Sequence, residues 1–297
     1  MKKPVEIVIA SGKGGTGKTT LSSFLISFLA PRTKLIGVDA DVEAPDLAIA
    51  LGGGRQILRE EIFDSMIAEV DFNKCDMCGD CFNICQFRAI EWRDGPKIIS
   101  QMCEGCGACS IVCNKNAISL RTVKTGDVVI IETKYANVIT GELVIGRKHS
   151  GKLVELIKEK SRRYIDSGII VVDAAAGIGC PVISSIAGSD YLVIVIEPTD
   201  QALNTADKLV NIGKIFNVDI GIVVNKYDLN PDFLDSFEEW AKKRGVEILG
   251  MVPYDDVVVE AYVNMKSLVE YAPGSNVVSV LEDIAEKIFR RLGDLGD

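Results

Sequence analysis

Residues 5–20, VEIVIASGKGGTGKTT, run a β-branched apolar stretch, Val5 to Ala10, straight into a glycine-rich turn closed by Lys18 and Thr19. A second apolar run, Leu21 to Ala30, follows. GKGGTGKT, residues 12–19, fits GxxxxGK[ST] after a strand and at the opening of a helix, the context that pattern requires. Glycines let the backbone curl until successive amides face phosphate oxygens, and the positive end of the following helix adds to the attraction. Gly12, Gly14, Gly15, Thr16, Gly17 and Thr20 are therefore candidate cradle residues. Lys18 is the candidate for the β and γ phosphates, and the Thr19 hydroxyl for Mg²⁺. A merely flexible glycine loop is the plain alternative, and the agreement of the full motif with both flanks argues against it.

Further along, short Val/Ile-rich runs recur at 5–10, 34–38, 169–172, 191–196, 220–224 and 247–252, with helix-like stretches between most of them. Runs apolar on both faces that alternate with helices predict an α/β fold, a mainly parallel sheet covered by helices on both faces. The chain of 297 residues, 47% apolar, has material for one large domain or two ordinary ones. Its formal charge of −9 argues against a general nucleic-acid binder, which carries a basic surplus. No stretch approaches the ~18 to 20 apolar residues of a membrane span, and the first apolar run is too short for a secretion signal. A cytoplasmic protein is the expectation, and in that reducing compartment clustered cysteines are metal ligands more often than disulfides.

The alternation stops between about 65 and 150, and eight of the nine cysteines lie in that interval. CDMCGDCFNICQFRAI from residue 75 and CEGCGACSIVCNKNAI from residue 103 align without gaps as CxxCGxCxxxCxxxAI, a repeat of period 28. Two CxxCxxCxxxC runs are the ligand pattern of bacterial two-cluster ferredoxins, in which the fourth cysteine of each run serves the other cluster. One [4Fe–4S] cluster then takes Cys75, Cys78, Cys81 and Cys113, and the other Cys103, Cys106, Cys109 and Cys85. Gly79 and Gly107 supply the tight turns this needs. Gln86 and Asn114 stand where such runs usually have proline, which removes a stiff turn residue but no ligand. Paired CxxC units also build Cys₄ zinc sites; the third cysteine and the symmetric repeat favour iron–sulfur. Residues 127–145 read as a strand pair turning near Tyr135 to Asn137. The expected organisation is an α/β domain of residues 1–65 and 150–297, an inserted α+β bacterial-type ferredoxin module at 66–122, and a β-hairpin connector at 123–149.

Lys13 places a second lysine inside the loop, and KGGTGKTT is similar to the deviant Walker A motif of the MinD/ParA/Mrp superfamily of dimeric P-loop ATPases. DADVEAPD (39–46) resembles that family's switch I, and IIVVDAAAGIG (169–179) its Walker B strand and switch II. VIEPTDQAL and VVNKYD resemble its later strand ends, so the likeness covers about 1–60 and 150–297. The resemblance implies a homodimer with ATP at its interface. It implies that Lys13 extends to a phosphate in the other subunit's site, that Asp41 orients the attacking water, and that Asp39 supports the magnesium shell. It further implies that Asp173 holds Mg²⁺ through water, that the Gly177 amide senses the γ-phosphate, and that Asn225 contacts adenine. Ala175 stands where the family often has proline. Asn225 to Asp228 also spells NKxD, which resembles the guanine-reading motif of GTPases; Lys13 and the switch sequences point to ATP.

The ninth cysteine, Cys180 in GIGCPV, reads as a small buried hydrophobe. The alternative is a cluster between subunits as in the nitrogenase iron protein, which takes two cysteines per subunit where this chain has one free. His149, the only histidine, reads as a solvated junction residue. Apolar residues at 277, 281, 284, 288 and 292 form a helical stripe expected to pack on its own sheet; MinD puts such a C-terminal helix on membranes, and Lys287, Arg290 and Arg291 stand beside it. Three functions fit: an ATP-gated electron donor serving an unidentified redox protein, an iron–sulfur cluster carrier serving an accepting protein, and a MinD-like spatial organiser at a membrane.

Overall fold

The strand that precedes the glycine loop, β1 (Val5–Ser11), lies in the middle of the main sheet, and Ile7 to Ala10 are wholly buried. The computed structural model describes residues 3–147 and 149–296, so the outermost residues of the expected segments, and Lys148, lie outside the described residues. After β1 come α1 (Lys18–Leu29), β2 (Leu35–Ala40), α2 (Leu47–Ala50) and β3 (Gly54–Val70). The cysteine repeats hold α3 (Asp80–Ile84), β4 (Ile90–Trp92), β5 (Pro96–Ile98) and α4 (Ala108–Ile111). β6 (Ile118–Thr133), β7 (Asn137–Leu143), α5 (Ser150–Tyr164), β8 (Ile169–Ala176) and α6 (Cys180–Ile186) lead back. The chain ends with β9 (Tyr191–Ile196), α7 (Asp200–Ile215), β10 (Asp219–Asn225), α8 (Phe233–Arg244), β11 (Glu247–Val252), α9 (Val257–Val263), α10 (Leu268–Tyr271) and α11 (Asn276–Gly296).

All six expected apolar runs are strands. The main sheet has the order β11-β10-β9-β1-β8-β2-β7-β6-β3. Its β11/β10, β10/β9, β9/β1, β1/β8, β8/β2 and β2/β7 pairs are parallel, which requires crossover helices and buries both faces. The chain divides into two compact units, one of residues 1–59, 128–142 and 150–297, the other of 60–127 and 143–149. Strands β3 and β6 each continue from one unit into the other. Of the expected connector, 128–142 groups with the larger unit and 123–127 and 143–149 with the smaller, and β7 pairs in parallel with β2 at Gly37↔Val138 and Val38↔Ile139. Val138 and Ile139 are fully buried, so burial of these two residues extends the parallel core.

α11 settles the amphipathic stripe. Val277, Leu281, Ile284, Ile288 and Leu292 are all buried in the same apolar cluster as α1 and β1. At about 1.5–3 kcal/mol per large apolar side chain, withdrawing the five would cost on the order of 10 kcal/mol. The stripe packs on its own sheet, as expected. Among the described residues no helix is long and apolar enough to cross a membrane. Cys180 departs from its expectation: it opens α6 and is exposed rather than buried. His149 is exposed, with φ 77.

Candidate functional site

At the C-terminal end of β1 the chain makes the loop of residues 12–17, and α1 begins at Lys18. Side chains hold the loop carbonyls: Ser11 Oγ donates to Lys13 O at 2.8 Å, Asn225 Nδ2 to Thr16 O at 2.8 Å, and Lys226 Nζ to Gly15 O at 3.1 Å. Carbonyls held in this way leave the amides for an anion. Gly17 is obligatory here: its φ is +96, and a Cβ would lie 2.3 Å from Asn225 Nδ2. Lys18 is buried at the head of α1, and a cleft is lined by Gly14, Gly15, Gly17, Lys18, Thr19, Thr20, Asp41, Asp46 and Asn225.

Behind the loop the hydroxyl of Thr19 donates to Asp173 Oδ2 at 2.6 Å and lies 3.2 Å from Asp46 Oδ1. Ser22 Oγ donates to Asp173 Oδ1 at 2.8 Å. Asp39 accepts from the amides of Asp41 at 3.2 Å and Leu47 at 2.8 Å, so its carboxylate pins the loop that carries Asp41 and Asp46. Burial, then repulsion from Asp173, pushes the Asp39 carboxyl well above the usual range. Burial likewise pushes Asp173 up to about 6, against the pull of Lys18, Thr19 and Ser22. Asp46 is raised by burial, with Asp41 adding to it. A carboxylate or two beside a hydroxyl is the donor type Mg²⁺ takes, with phosphate oxygens and water completing its shell.

Two expected residues have other partners in this state. The Gly177 amide donates to Ser11 O at 2.9 Å. Lys13 Nζ pairs with Glu197 Oε2 at 2.5 Å. A second cavity between α1 and the strand ends has largely apolar walls, Leu21, Val223, Val252, Pro253, Val258 and Val277, with Asn225 at its edge. Asp228, the last residue of the NKxD run, accepts from the Tyr254 amide at 2.7 Å.

The eight clustered cysteines separate into two sets of four. One hollow is lined by Cys75, Cys78, Cys81 and Cys113 together with Trp92, Pro96 and Ile118. The other is lined by Cys85, Cys103, Cys106 and Cys109 with Ala68, Ile98 and Leu120. Each takes three cysteines from one repeat and the fourth from the other. The period of 28 is also structural: left-handed residues pair as Met77 and Gly105 (φ 59 and 64), Gly79 and Gly107 (87 and 78), Arg88 and Asn116 (51 and 50). Gly105 has no freedom to change, since a Cβ there would sit 2.4 Å from Met66 O. The Ala89 and Ala117 amides donate to Cys85 and Cys113 Sγ at 3.3 Å, and β3 adds Ala68 N to Cys103 Sγ at 3.4 Å. Burial is the main cause holding the Cys81 and Cys109 thiols above their usual range. Among the described residues no three His, Cys, Asp or Glu side chains gather tightly enough for a single metal ion.

Sequence reasoning missed Asp46, Ser22, Glu197 and Lys226. Asp46 lay inside the quoted DADVEAPD, and Glu197 and Lys226 directly follow β9 and β10. Residues just past parallel strand ends line the crevice where α/β sheets bind ligands, which is the signal that marks them.

The model of the CobQ/CobB/MinD/ParA nucleotide binding domain matches residues 7–269. An uncharacterised protein of Methanocaldococcus jannaschii is 35% identical over 228 residues, 76% of this chain and 79% of its own. An iron-sulfur cluster carrier protein of Pyrococcus abyssi is 25% identical over 303 residues, 98% of this chain and 87% of its own. Among solved structures, the septum site-determining protein MinD of Pyrococcus horikoshii, complexed with Mg-ADP, superposes with a TM-score of 0.61 at 19% identity, covering 98% of each chain. At that identity the likeness carries the fold alone.

Proposed function

The chain belongs to the CobQ/CobB/MinD/ParA nucleotide-binding family and is a P-loop ATPase, and from that premise we propose a dimeric switch in which Mg-ATP turnover gates electron transfer through two [4Fe–4S] clusters. The observation that carries the iron–sulfur half is the sorting of eight cysteines into two hollows, each drawing its fourth thiol from the opposite repeat. That interleaving is the two-cluster ferredoxin pattern. Cys75, Cys78, Cys81 and Cys113 would hold one cluster and Cys85, Cys103, Cys106 and Cys109 the other; when bound, the clusters supply one-electron carriers. Amides on Cys85, Cys103 and Cys113 stabilise the thiolates.

In the ATPase unit, Lys18 and the loop amides would neutralise the phosphates, while Thr19, with Asp46 in the cleft and the buried Asp173 and Asp39 behind it, would hold Mg²⁺. Asp41 orients the water for in-line attack, and Lys13 from the second subunit stabilises charge on the transferring group. The Gly177 amide leaves the Ser11 carbonyl for the γ-phosphate, carrying the signal into switch II. Adenine enters the apolar cavity beside Asn225. Coupling runs along the chain: β3 leaves directly after the Asp39 to Asp46 loop and α2, and the return through β6 and β7 comes before the strand of Asp173.

The likeness to an iron-sulfur cluster carrier protein supports a second reading, in which cluster delivery is the ATP-driven step. Reduced, anaerobic protein mixed with a viologen acceptor and, separately, with an apo-ferredoxin separates the two. Gated electron transfer predicts a several-fold change in acceptor reduction rate on adding Mg-ATP, with iron retained by the chain. A rate indifferent to nucleotide, with iron and sulfide passing to the apo-ferredoxin, refutes it in favour of the carrier.

A further inference from the structure

Sheet topology brings three charged residues together beside the phosphate loop, with Lys226 at the edge of the cleft. β9 lies between β1 and β10, and Lys13, Glu197 and Lys226 each sit just past the C-terminal end of one of these strands. The Glu197 carboxylate therefore faces a lysine on either side: Oε2 meets Lys13 Nζ at 2.5 Å, and Oε1 meets Lys226 Nζ at 2.7 Å. Glu197 is 18% exposed and Lys13 52%, so the carboxylate is the anchored member of the pair and the lysine the free one. Lys226 is anchored as well, through its bond to Gly15 O at 3.1 Å.

We propose that Glu197 is a positioning residue for the ATPase reaction, a latch that holds Lys13 in its own subunit until Lys13 exchanges this carboxylate for a nucleotide phosphate. The inference rests on the reading above in which Lys13 acts across a dimer. Three physical features make the exchange workable. The triphosphate offers Lys13 a charge-assisted bond of the same kind as the one it leaves. Lys226 keeps Glu197 paired after Lys13 departs, so no lone charge is stranded in a partly buried position, the outcome that makes breaking ion pairs costly. Burial of Glu197 by itself would raise its carboxyl, and the two ammonium groups outweigh it and hold it below the usual range, so the latch stays charged throughout the neutral range. In this arrangement Glu197 sets the nucleotide concentration at which the subunits join.

The test uses the full chain, purified anaerobically, as wild type, Glu197→Gln, Glu197→Asp and Lys13→Ala. In nucleotide-free protein, limiting acetic anhydride with peptide mass spectrometry reads how freely Lys13 reacts. Glu197→Gln labels Lys13 roughly two- to fivefold faster, the scale of a partly exposed ion pair, and Glu197→Asp stays near wild type. Equal labelling in wild type and Glu197→Gln overturns the latch. Sedimentation against non-hydrolysable ATP then reads dimerisation: Glu197→Gln lowers the half-maximal concentration by a similar factor, and adding Lys13→Ala abolishes the difference. A raised concentration, or the same shift with Lys13 absent, also overturns it. A wild-type chain that stays monomeric at every nucleotide concentration refutes the dimeric reading instead, while the labelling still decides whether Glu197 holds Lys13.

Discussion

Asp46→Asn tests the electrostatics of the cation site, because it removes one charge from a group of carboxylates that the metal-free fold holds together at a cost. The Thr19 hydroxyl is 2.6 Å from Asp173 and 3.2 Å from Asp46, so those two carboxylate oxygens are at most about 5.8 Å apart. At an effective dielectric of ~20, unit charges at that distance repel by about 3 kcal/mol. Solvent reaching Asp46 screens part of this, and the substitution weakens a contact to Thr19 worth ~1 kcal/mol. A net gain of about 1–2 kcal/mol remains, or roughly 2–3 °C in Tm for a protein of this size. The gain depends on pH with a definite sign. Asp173, pushed up to about 6 chiefly by burial, is ionised at pH 7.5 and protonated at pH 5. A raised carboxyl loses stability for the fold as pH rises through the interval between its ordinary value and about 6, and the advantage of the substitution grows over the same interval. Circular dichroism melts in EDTA should show the variant more stable at pH 7.5 and, with the repulsion gone but the Thr19 contact still weakened, no more stable than wild type at pH 5. With Mg-ATP the order reverses, since the variant has lost a carboxylate beside the cation. A variant that melts below wild type in EDTA at pH 7.5, or gains equally at both pH values, refutes the reasoning.

Lys18→Ala removes the buried ammonium of the loop and should cut ATPase turnover at least about a hundredfold, whereas Lys13→Ala retains nucleotide binding measured by calorimetry while raising the nucleotide concentration needed for dimerisation. Cys113→Ser should halve iron bound by the anaerobic protein and leave the set around Cys85 intact; Cys180→Ser should leave iron unchanged, because Cys180 lies in neither hollow. Asp207 accepts from Trp240 Nε1 at 2.7 Å and from Arg244 Nε and Nη2 at 2.8 and 2.6 Å, tying α7 to α8. Asp207→Ala should destabilise the ATPase unit by about 1–3 kcal/mol in urea unfolding without changing iron content.

How much the sequence disclosed depended on whether a signal was local. Val/Ile runs such as 191–196 are buried on both faces and spell their strands directly. β3 escaped notice because GRQILREEIF carries charges among its apolar residues and Ile57, Leu58 and Phe63 remain exposed, so neither alternation nor a continuous apolar run marks it. The cysteine repeat was legible because ligand spacing is itself the chemistry. The ion pair of Glu197 was not: it depends on β9 lying between β1 and β10, a fact of sheet order that no window of sequence contains. Cys180 illustrates the opposite failure, where a residue type usually buried stands exposed at the head of α6.

The central claim, that nucleotide state governs paired iron–sulfur carriers, is tested most directly by an EPR-monitored redox titration of anaerobically isolated protein, with iron and acid-labile sulfide measured on the same sample. The account predicts about eight of each per chain, the complement of two cubane clusters, and a midpoint potential that moves when Mg-ATP is added. A colourless or zinc-containing protein, or potentials identical with and without Mg-ATP, would contradict it.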